Sequence, residues 1–412
     1  MEAITNQKGH NWTTFIHMTS RALERASYYG IRGLLVLYLT SEVFAMDHYQ
    51  AIGIYGWLAG TIVGAEILGA LLGDLILGNR IAAIIGAAIQ AIGAFVLCLP
   101  MEFTVYAGIG LLGLGAGIYS PNLLSLFGKN YYYRKHSMDS GFTFLYFAIN
   151  IGAFLGTLII GLLGEESFVL GFILGGVLSL CAMISMFFSP KLDIKESKSL
   201  ATSTFSTRVI WIGAAILISA FFWGLYEFGA GDMYVLGYDV GQSANTSSFL
   251  NRIWSSMNSG FVLIFALVFG FLWMVIKLNR VMKIGIGFIC ASLAYALVLI
   301  ISPDGSGLNT ALFIFGMILV GLAEIFVAPT ILSLITKHSN PKYLAIILSI
   351  AYLPGRLMFR VVGLVTPFFM EFMGYPGLKI GLALYLIFGI VLIAFSGFVK
   401  ENPDAAPSTE SV

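Results

Sequence analysis

Twelve apolar stretches, each long enough to cross a bilayer, leave this chain few folds to choose from. They fall at roughly 14–41, 50–77, 81–100, 104–128, 140–163, 167–189, 208–238, 248–276, 282–301, 309–336, 343–371 and 377–399. A helix needs about 20 apolar residues to span the hydrocarbon core, where every backbone N–H and C=O must be satisfied within the segment. With 58% hydrophobic residues, 10% charged residues and a mean hydropathy of +0.90, the chain lies outside the range of water-soluble domains. The expectation is an all-α, multi-pass membrane protein with the lipid bilayer as its surroundings and no nucleic acid as partner.

The loops alternate in charge. Those that share a side with the N-terminus carry Arg80, Lys129, Arg134, Lys135, Lys191, Lys277, Arg280, Lys337 and Lys342, while the opposite loops carry mainly acids such as Glu42, Asp47, Glu102, Glu165 and Asp239. The positive-inside rule then puts both termini in the cytoplasm of a cell (inner or plasma) membrane protein. The N-terminus shows no short apolar core with a cleavage site, so no removable signal is expected. Residues 191–207 read as a cytoplasmic linker between a bundle at 1–190 and another at 208–400, and 401–412 as a disordered tail. Cys98, Cys181 and Cys290 lie in apolar runs without metal-like spacing, which implies neither a disulfide nor a metal site, and no cofactor is expected.

The first span is unusual among the twelve. At helical spacing His17, Arg21, Glu24, Arg25, Tyr28 and Arg32 share one broad face. An arginine at mid-membrane costs about 2.5–3.5 kcal/mol, so this face must meet a wet cavity or bonded partners. Glu66, Glu227 and Glu324 also sit within apolar spans, where an unpaired carboxylate would demand a cation or a proton. Structural ion pairing could satisfy all of them; their recurrence in both halves favours a functional cavity.

The halves resemble each other at an offset of about 200 residues. Ser120-Pro121-Asn-Leu-Leu-Ser-Leu-Phe-Gly-Lys129 reads like Ala328-Pro329-Thr-Ile-Leu-Ser-Leu-Ile-Thr-Lys337, and Asn79-Arg80 matches Asn279-Arg280. A parallel repeat of six spans plus six is the major facilitator architecture, with 12 transmembrane helices in two six-helix bundles and a mid-membrane substrate site. An enzyme is excluded on the motifs: no HExxH, GxSxG, CxxC or phosphate-cradling GxxxxGK[ST] occurs.

More specific segments resemble the proton-dependent oligopeptide transporters. Gly69-Ala-Leu-Leu-Gly-Asp74-Leu-Ile-Leu-Gly78 is similar to that family's first signature, with Ala83 where valine or isoleucine is usual. Phe142-Thr-Phe-Leu-Tyr146-Phe-Ala-Ile-Asn150-Ile-Gly152-Ala-Phe154 fits its second. Glu24-Arg25-Ala-Ser-Tyr-Tyr29-Gly30 is similar to its E-x-x-E-R-F-x-Y-Y-G motif, and Phe222-Trp223-Gly-Leu-Tyr226-Glu227, Ser256-Met257-Asn258 and Ala323-Glu324-Ile-Phe-Val-Ala-Pro329 resemble its seventh, eighth and tenth spans. Three departures stand out: Arg21 replaces the motif's first glutamate, Ser120 replaces a lysine, and the linker is too short for an extra helix pair.

The resemblance implies a secondary transporter, a monomer coupling protons to uptake of di- or tripeptides by alternating access. The alternative is a major facilitator exporter or facilitator of another small anionic or amphipathic solute, with altered or no proton coupling. Arg25 would hold the substrate carboxylate with Arg21 beside it, Glu324 the amine, Asn150 and Asn258 neutral hydrogen bonds and Tyr29 a hydroxyl. Arg32 and Glu227 are the expected outer gate, with Asp232 in reserve. Proton coupling is expected at Glu24 or Glu66, with Glu66 paired to Arg21 or Arg25 to offset the charge that the two substitutions add. Other polar residues have plainer readings: Asp74 with Arg80 as a structural latch, Tyr131-Tyr132-Tyr133 as an interfacial belt, His17 as a helix-end or titrating group, His136 and His338 as solvated, and Arg356 and Arg360 as snorkelling cations.

Overall fold

A computed structural model describes residues 9–132, 134–191, 204–243, 257–302 and 307–399. Of the expected linker at 191–207, residues 192–203 lie outside them and 205–207 already belong to a helix; the tail also lies outside them, as do Tyr133 and the side chains of Asn258, Arg356 and Arg360.

Among the described residues, twelve long helices correspond one for one to the apolar stretches. They are α1 Trp12–Thr40, α2 His48–Leu71, α3 Asn79–Val96, α4 Glu102–Asn130, α5 Met138–Glu166, α6 Phe168–Phe187, α7 Phe205–Ser243, α8 Met257–Val275, α9 Arg280–Leu299, α10 Gly307–His338, α11 Leu344–Met370 and α12 Pro376–Ser396. A π-helical turn, Leu72–Leu77, continues α2 to its end. Among the described residues nine helices are long and apolar enough to cross a membrane by composition alone. Helix α1 is not one of them; it carries Arg21, Glu24, Arg25 and Arg32. The chain divides into two compact units, the first Met1–Arg134, Phe144–Ala201 and Ser339–Ile350, the second Lys135–Thr143, Thr202–His338 and Ala351–Val412.

In the first unit, glycines let backbones meet. A Cβ at Gly156 of α5 would lie 2.1 Å from the Ala26 carbonyl oxygen of α1, and one at Gly152 2.2 Å from that of Ala22. Larger residues would push α1 and α5 apart, as expected of small-residue contacts in membranes. Outward of this seam, Ile31, Leu34, Leu35, Tyr38 and Leu39 of α1 are buried in one cluster with Leu97, Ile109, Leu112 and Phe172. One face of α1 is thus an apolar core face and the other carries the charges.

The repeat seen in the sequence has a matching anchor in each unit. Arg80, opening α3, donates Nε to the Met186 carbonyl at 3.2 Å and a terminal nitrogen to the Phe187 carbonyl at 2.5 Å, at the C-terminal end of α6. Asn279, before α9, accepts from the Val281 N–H at 2.8 Å and donates to the Val399 carbonyl at 2.9 Å, just past α12. Each third helix of a half is tied to the end of its sixth, and cations or amides there satisfy carbonyls that a helix leaves open. Asn122, after Pro121, is fully buried and donates to the Gly69 and Ile118 carbonyls at 2.8 and 2.7 Å.

In the second unit an aromatic cluster of Phe222, Phe288, Tyr295 and Tyr385 seats α7. Its hydroxyls find backbone: Tyr385 donates to the Phe222 carbonyl at 2.7 Å and Tyr295 to that of Leu225 at 3.1 Å.

Several plain readings change. Asp74 and Arg80 do not bind each other: Asp74 accepts from Asn79 Nδ2 and from the Ile346 N–H, both at 2.9 Å, the latter in the first turn of α11. An acid is favoured there by the open N–H groups and the helix dipole. Tyr131 and Tyr132 are buried, not an interfacial belt, because Tyr131 bonds His10 and Thr14 while Tyr132 donates to the Ser339 carbonyl at 2.7 Å. His338 stacks on Trp211 with ring centroids 5.6 Å apart instead of standing in solvent.

Candidate functional site

The charged face of α1 folds into one hydrogen-bonded group in the first unit. Glu24, fully buried, accepts from Arg25 Nε at 2.6 Å and from its terminal nitrogen at 2.5 Å, and from Arg21 at 3.1 Å. The Arg25 guanidinium also lies 4.8 Å from the Tyr28 ring centroid and 5.6 Å from that of Tyr29. Aromatic faces stabilise a desolvated cation by about 0.5–2 kcal/mol. Charge, two ring faces and a bidentate partner therefore fix Arg25 in one orientation, which suits a planar anion receptor.

Neutral hydrogen bonds hold the back of this helix. The Ser20 hydroxyl lies 2.6 Å from that of Tyr119 and donates to the Ala182 carbonyl at 2.8 Å, while Ser179 donates to Ser27 at 2.8 Å. Gln90 of α3, fully buried, donates to the Glu24 carbonyl at 3.3 Å, and its side-chain oxygen has no partner. Sequence reasoning did not single out Gln90 or Tyr119. The signal for Gln90 was present, since an amide inside an apolar span demands partners; a tyrosine carries no such signal, being ordinary packing material.

The other expected residues of this unit are placed as follows. Arg32 bonds the Tyr55 hydroxyl of α2, with its guanidinium 5.2 Å from the Tyr55 ring and 5.9 Å from that of Tyr29. Glu66 of α2 is buried. Asn150 is half-buried and donates to the Tyr146 carbonyl one turn back at 2.8 Å. His17 is fully buried, its Nε2 2.8 Å from the Ser189 hydroxyl.

At the mouth of the same unit Asn11 caps α1 by accepting from the Thr14 N–H at 3.0 Å, and Asn130 bonds both Asn11 and Thr14. His10 shares a 2.6 Å hydrogen bond with the Tyr131 hydroxyl. Burial, then the neighbouring Arg134, push the His10 imidazole below its ordinary range.

In the second unit, buried Glu324 of α10 accepts a hydrogen bond from the Tyr226 hydroxyl of α7, and Glu227 lies close enough to act electrostatically on the same tyrosine. Asp232, the reserve gate residue, is committed elsewhere: it accepts from the Leu378 N–H at 3.1 Å and caps the first turn of α12. Asp139, also unforeseen, binds Arg280 Nε at 2.7 Å and Lys283 Nζ at 2.5 Å. Its partners are more than 140 residues away in sequence, so no local pattern points to them. Among the described residues no cluster of histidine, cysteine or carboxylates could hold a metal ion.

Comparison with known proteins places these arrangements in context. Residues 18–358 match the model of the Major Facilitator Superfamily. The chain is 25% identical to the uncharacterized transporter YclF of Bacillus subtilis (strain 168), over 84% of this chain and 85% of that protein. It is 31% identical to the dipeptide and tripeptide permease A of Serratia proteamaculans over a shorter region, 33% of this chain and 27% of the permease. Among solved structures, a POT family transporter in complex with a thioalcohol-conjugated peptide superposes with a TM-score of 0.67 at 20% identity, covering 95% of this chain and 98% of that one.

Proposed function

Because the chain belongs to the Major Facilitator Superfamily, whose members are membrane transporters and not enzymes, we propose that it takes up di- or tripeptides or related small zwitterions. The observation that carries this is Arg25, buried on α1, oriented by Glu24 and two tyrosine rings, within a segment resembling the peptide-transporter motif. A permease of di- and tripeptides among its relatives and a peptide-bound structural neighbour support the same reading. In it, Arg25 with Arg21 takes the substrate carboxylate and Glu324 the amine. Tyr29, Asn150 and Asn258 add hydrogen bonds, and Arg32 and Glu227 act in the outer gate. Transport is by alternating access, driven by protons through Glu24 or Glu66, in a monomer with both termini cytoplasmic.

Arg21, standing where the family motif has glutamate, favours a second reading: a facilitator or exporter of a small anionic solute with altered or no proton coupling. Uptake of radiolabelled di- and tripeptides into proteoliposomes separates the two. Accumulation above the equilibrium level that needs an inward proton gradient supports peptide symport. Gradient-independent uptake of anions with no peptide competition overturns it.

A further inference from the structure

Within the second unit, a cavity of about 200 Å³ opens between the segment that begins α5 and the turn joining α8 to α9. Its lining includes Lys135, Lys277, Arg280 and Lys283 against the single carboxylate of Asp139. Asp139 is already bonded to Arg280 and Lys283, and Lys337 adds another positive charge near Lys135. Four cations around one acid repel one another in a partly desolvated space, where charges interact more strongly than in water.

Trp273 provides an independent observation. It is 3% exposed and lines this cavity, yet its indole Nε1 is a buried donor with no hydrogen-bond partner. Leaving such a donor unmet costs about 1–3 kcal/mol. The ring is held in place by Lys283, whose Nζ lies 4.1 Å from its centroid, and by Phe269 and Phe326. The cavity therefore presents converging N–H donors and more positive than negative charge: Asp139 is its one carboxylate, and Lys277 donates to the His136 carbonyl at 2.7 Å and to that of Trp273 at 3.1 Å. Its volume falls below the roughly 300–1,000 Å³ of sites for drug-sized ligands.

We propose that this cavity binds the phosphate group of an anionic ligand, through Lys135, Lys277, Arg280 and the Trp273 N–H, tying residues 135–139 to α8 and α9. A phosphate brings acceptor oxygens for several donors at once, and bonds of this charge-assisted kind are about twice as strong as neutral ones. Two sources share this chemistry, a soluble phosphate and the headgroup of an anionic lipid; basic pockets at membrane-protein faces bind such headgroups. The proposal stands apart from the substrate reading, since its test measures no transport.

The full chain, delipidated in uncharged detergent, is titrated with inorganic phosphate against chloride at constant ionic strength while its melting temperature is followed. In a second arm it is placed in nanodiscs of phosphatidylcholine with and without phosphatidylglycerol. A saturable rise in melting temperature in the first arm identifies a soluble phosphate, and a rise in the second arm alone identifies lipid. Lys135→Gln with Lys277→Gln leaves the Asp139 pairs in place and weakens the response at least tenfold. Trp273→Phe keeps the ring, removes the N–H and weakens it several-fold, which decides the matter if the double variant does not fold. A response that follows ionic strength alone, or one equal in wild type and Trp273→Phe, overturns the proposal.

Discussion

Glu24 and Arg25, adjacent on α1, form a two-bonded ion pair at 2.6 and 2.5 Å with the carboxylate wholly buried. Neighbours on a helix point about 100° apart, so the pair exists because the long guanidinium arm folds back against the helix, where Tyr28 and Tyr29 cover it. A substrate carboxylate arriving at Arg25 must share or displace Glu24. Arg25→Lys keeps the charge and loses the fork, so peptide binding is expected to weaken at least tenfold, about 1.4 kcal/mol or more. Binding by isothermal titration checks this; wild-type affinity in Arg25→Lys would remove Arg25 from the substrate site.

Stability should respond unequally within the same group. Glu24→Gln takes the carboxylate from a buried guanidinium, and breaking a buried pair from one side costs about 3–5 kcal/mol. Arg21→Gln removes the 3.1 Å contact and leaves Glu24 with both bonds from Arg25, so its cost is expected to be clearly smaller. Thermal melts of the two variants in one detergent test the order. Equal destabilisation would mean that Arg21, not Arg25, carries the carboxylate.

Much of the architecture was legible because membrane physics writes it in long strokes. Twelve apolar runs became twelve long helices among the described residues, and the Asn79-Arg80 and Asn279-Arg280 repeats each tie the third helix of a half to its sixth, through Arg80 in one half and Asn279 in the other. Gly152 and Gly156, one helical turn apart, make close backbone contacts with Ala22 and Ala26 of α1. What escaped depended on partners distant in sequence. Asp139 finds Arg280 and Lys283, Asp74 finds the first turn of α11, and Asp232 finds the start of α12. Acids at these places look from sequence like loop charge or gate residues, since nothing local shows an open helix N-terminus beside them. The tyrosines at 131 and 132 misled for the opposite reason: aromatic residues at a helix end are common at interfaces, and only the contacts with His10, Thr14 and Ser339 reveal burial.

The His10–Tyr131 hydrogen bond beside the Asn11 cap should make the start of α1 sensitive to acid. The His10 imidazole in the fold has a pKa below the ordinary value of 6.5, so as pH falls below that value the unfolded segment takes up a proton before the folded one. The cap is therefore at full strength above about pH 6.5 and loses stability as pH falls through the folded-state value. Amide hydrogen exchange across residues 11–16 is expected to speed up between pH 7.5 and 5.5 after correction for intrinsic rates. His10→Gln, which cannot titrate, should flatten the dependence. The same acid response in both proteins would locate the sensitive group elsewhere.

Coupling turns on which acid is free to change its proton. Glu24 receives three hydrogen bonds from two guanidiniums. A substrate carboxylate at Arg25 competes with Glu24 for that guanidinium. Glu66 is also buried, on α2. The coupling proton is expected on Glu66 or Glu24, and Glu66 is the one to test first. Reconstituted Glu66→Gln is expected to lose uphill accumulation driven by a proton gradient, at least tenfold, while keeping downhill exchange of substrate, because the neutral side chain mimics a permanently protonated carrier. Exchange without accumulation is the signature to look for. If Glu66→Gln concentrates substrate as well as the wild type does, the coupling proton does not reside on Glu66, and the same pair of measurements on Glu24→Asp decides whether it resides on Glu24.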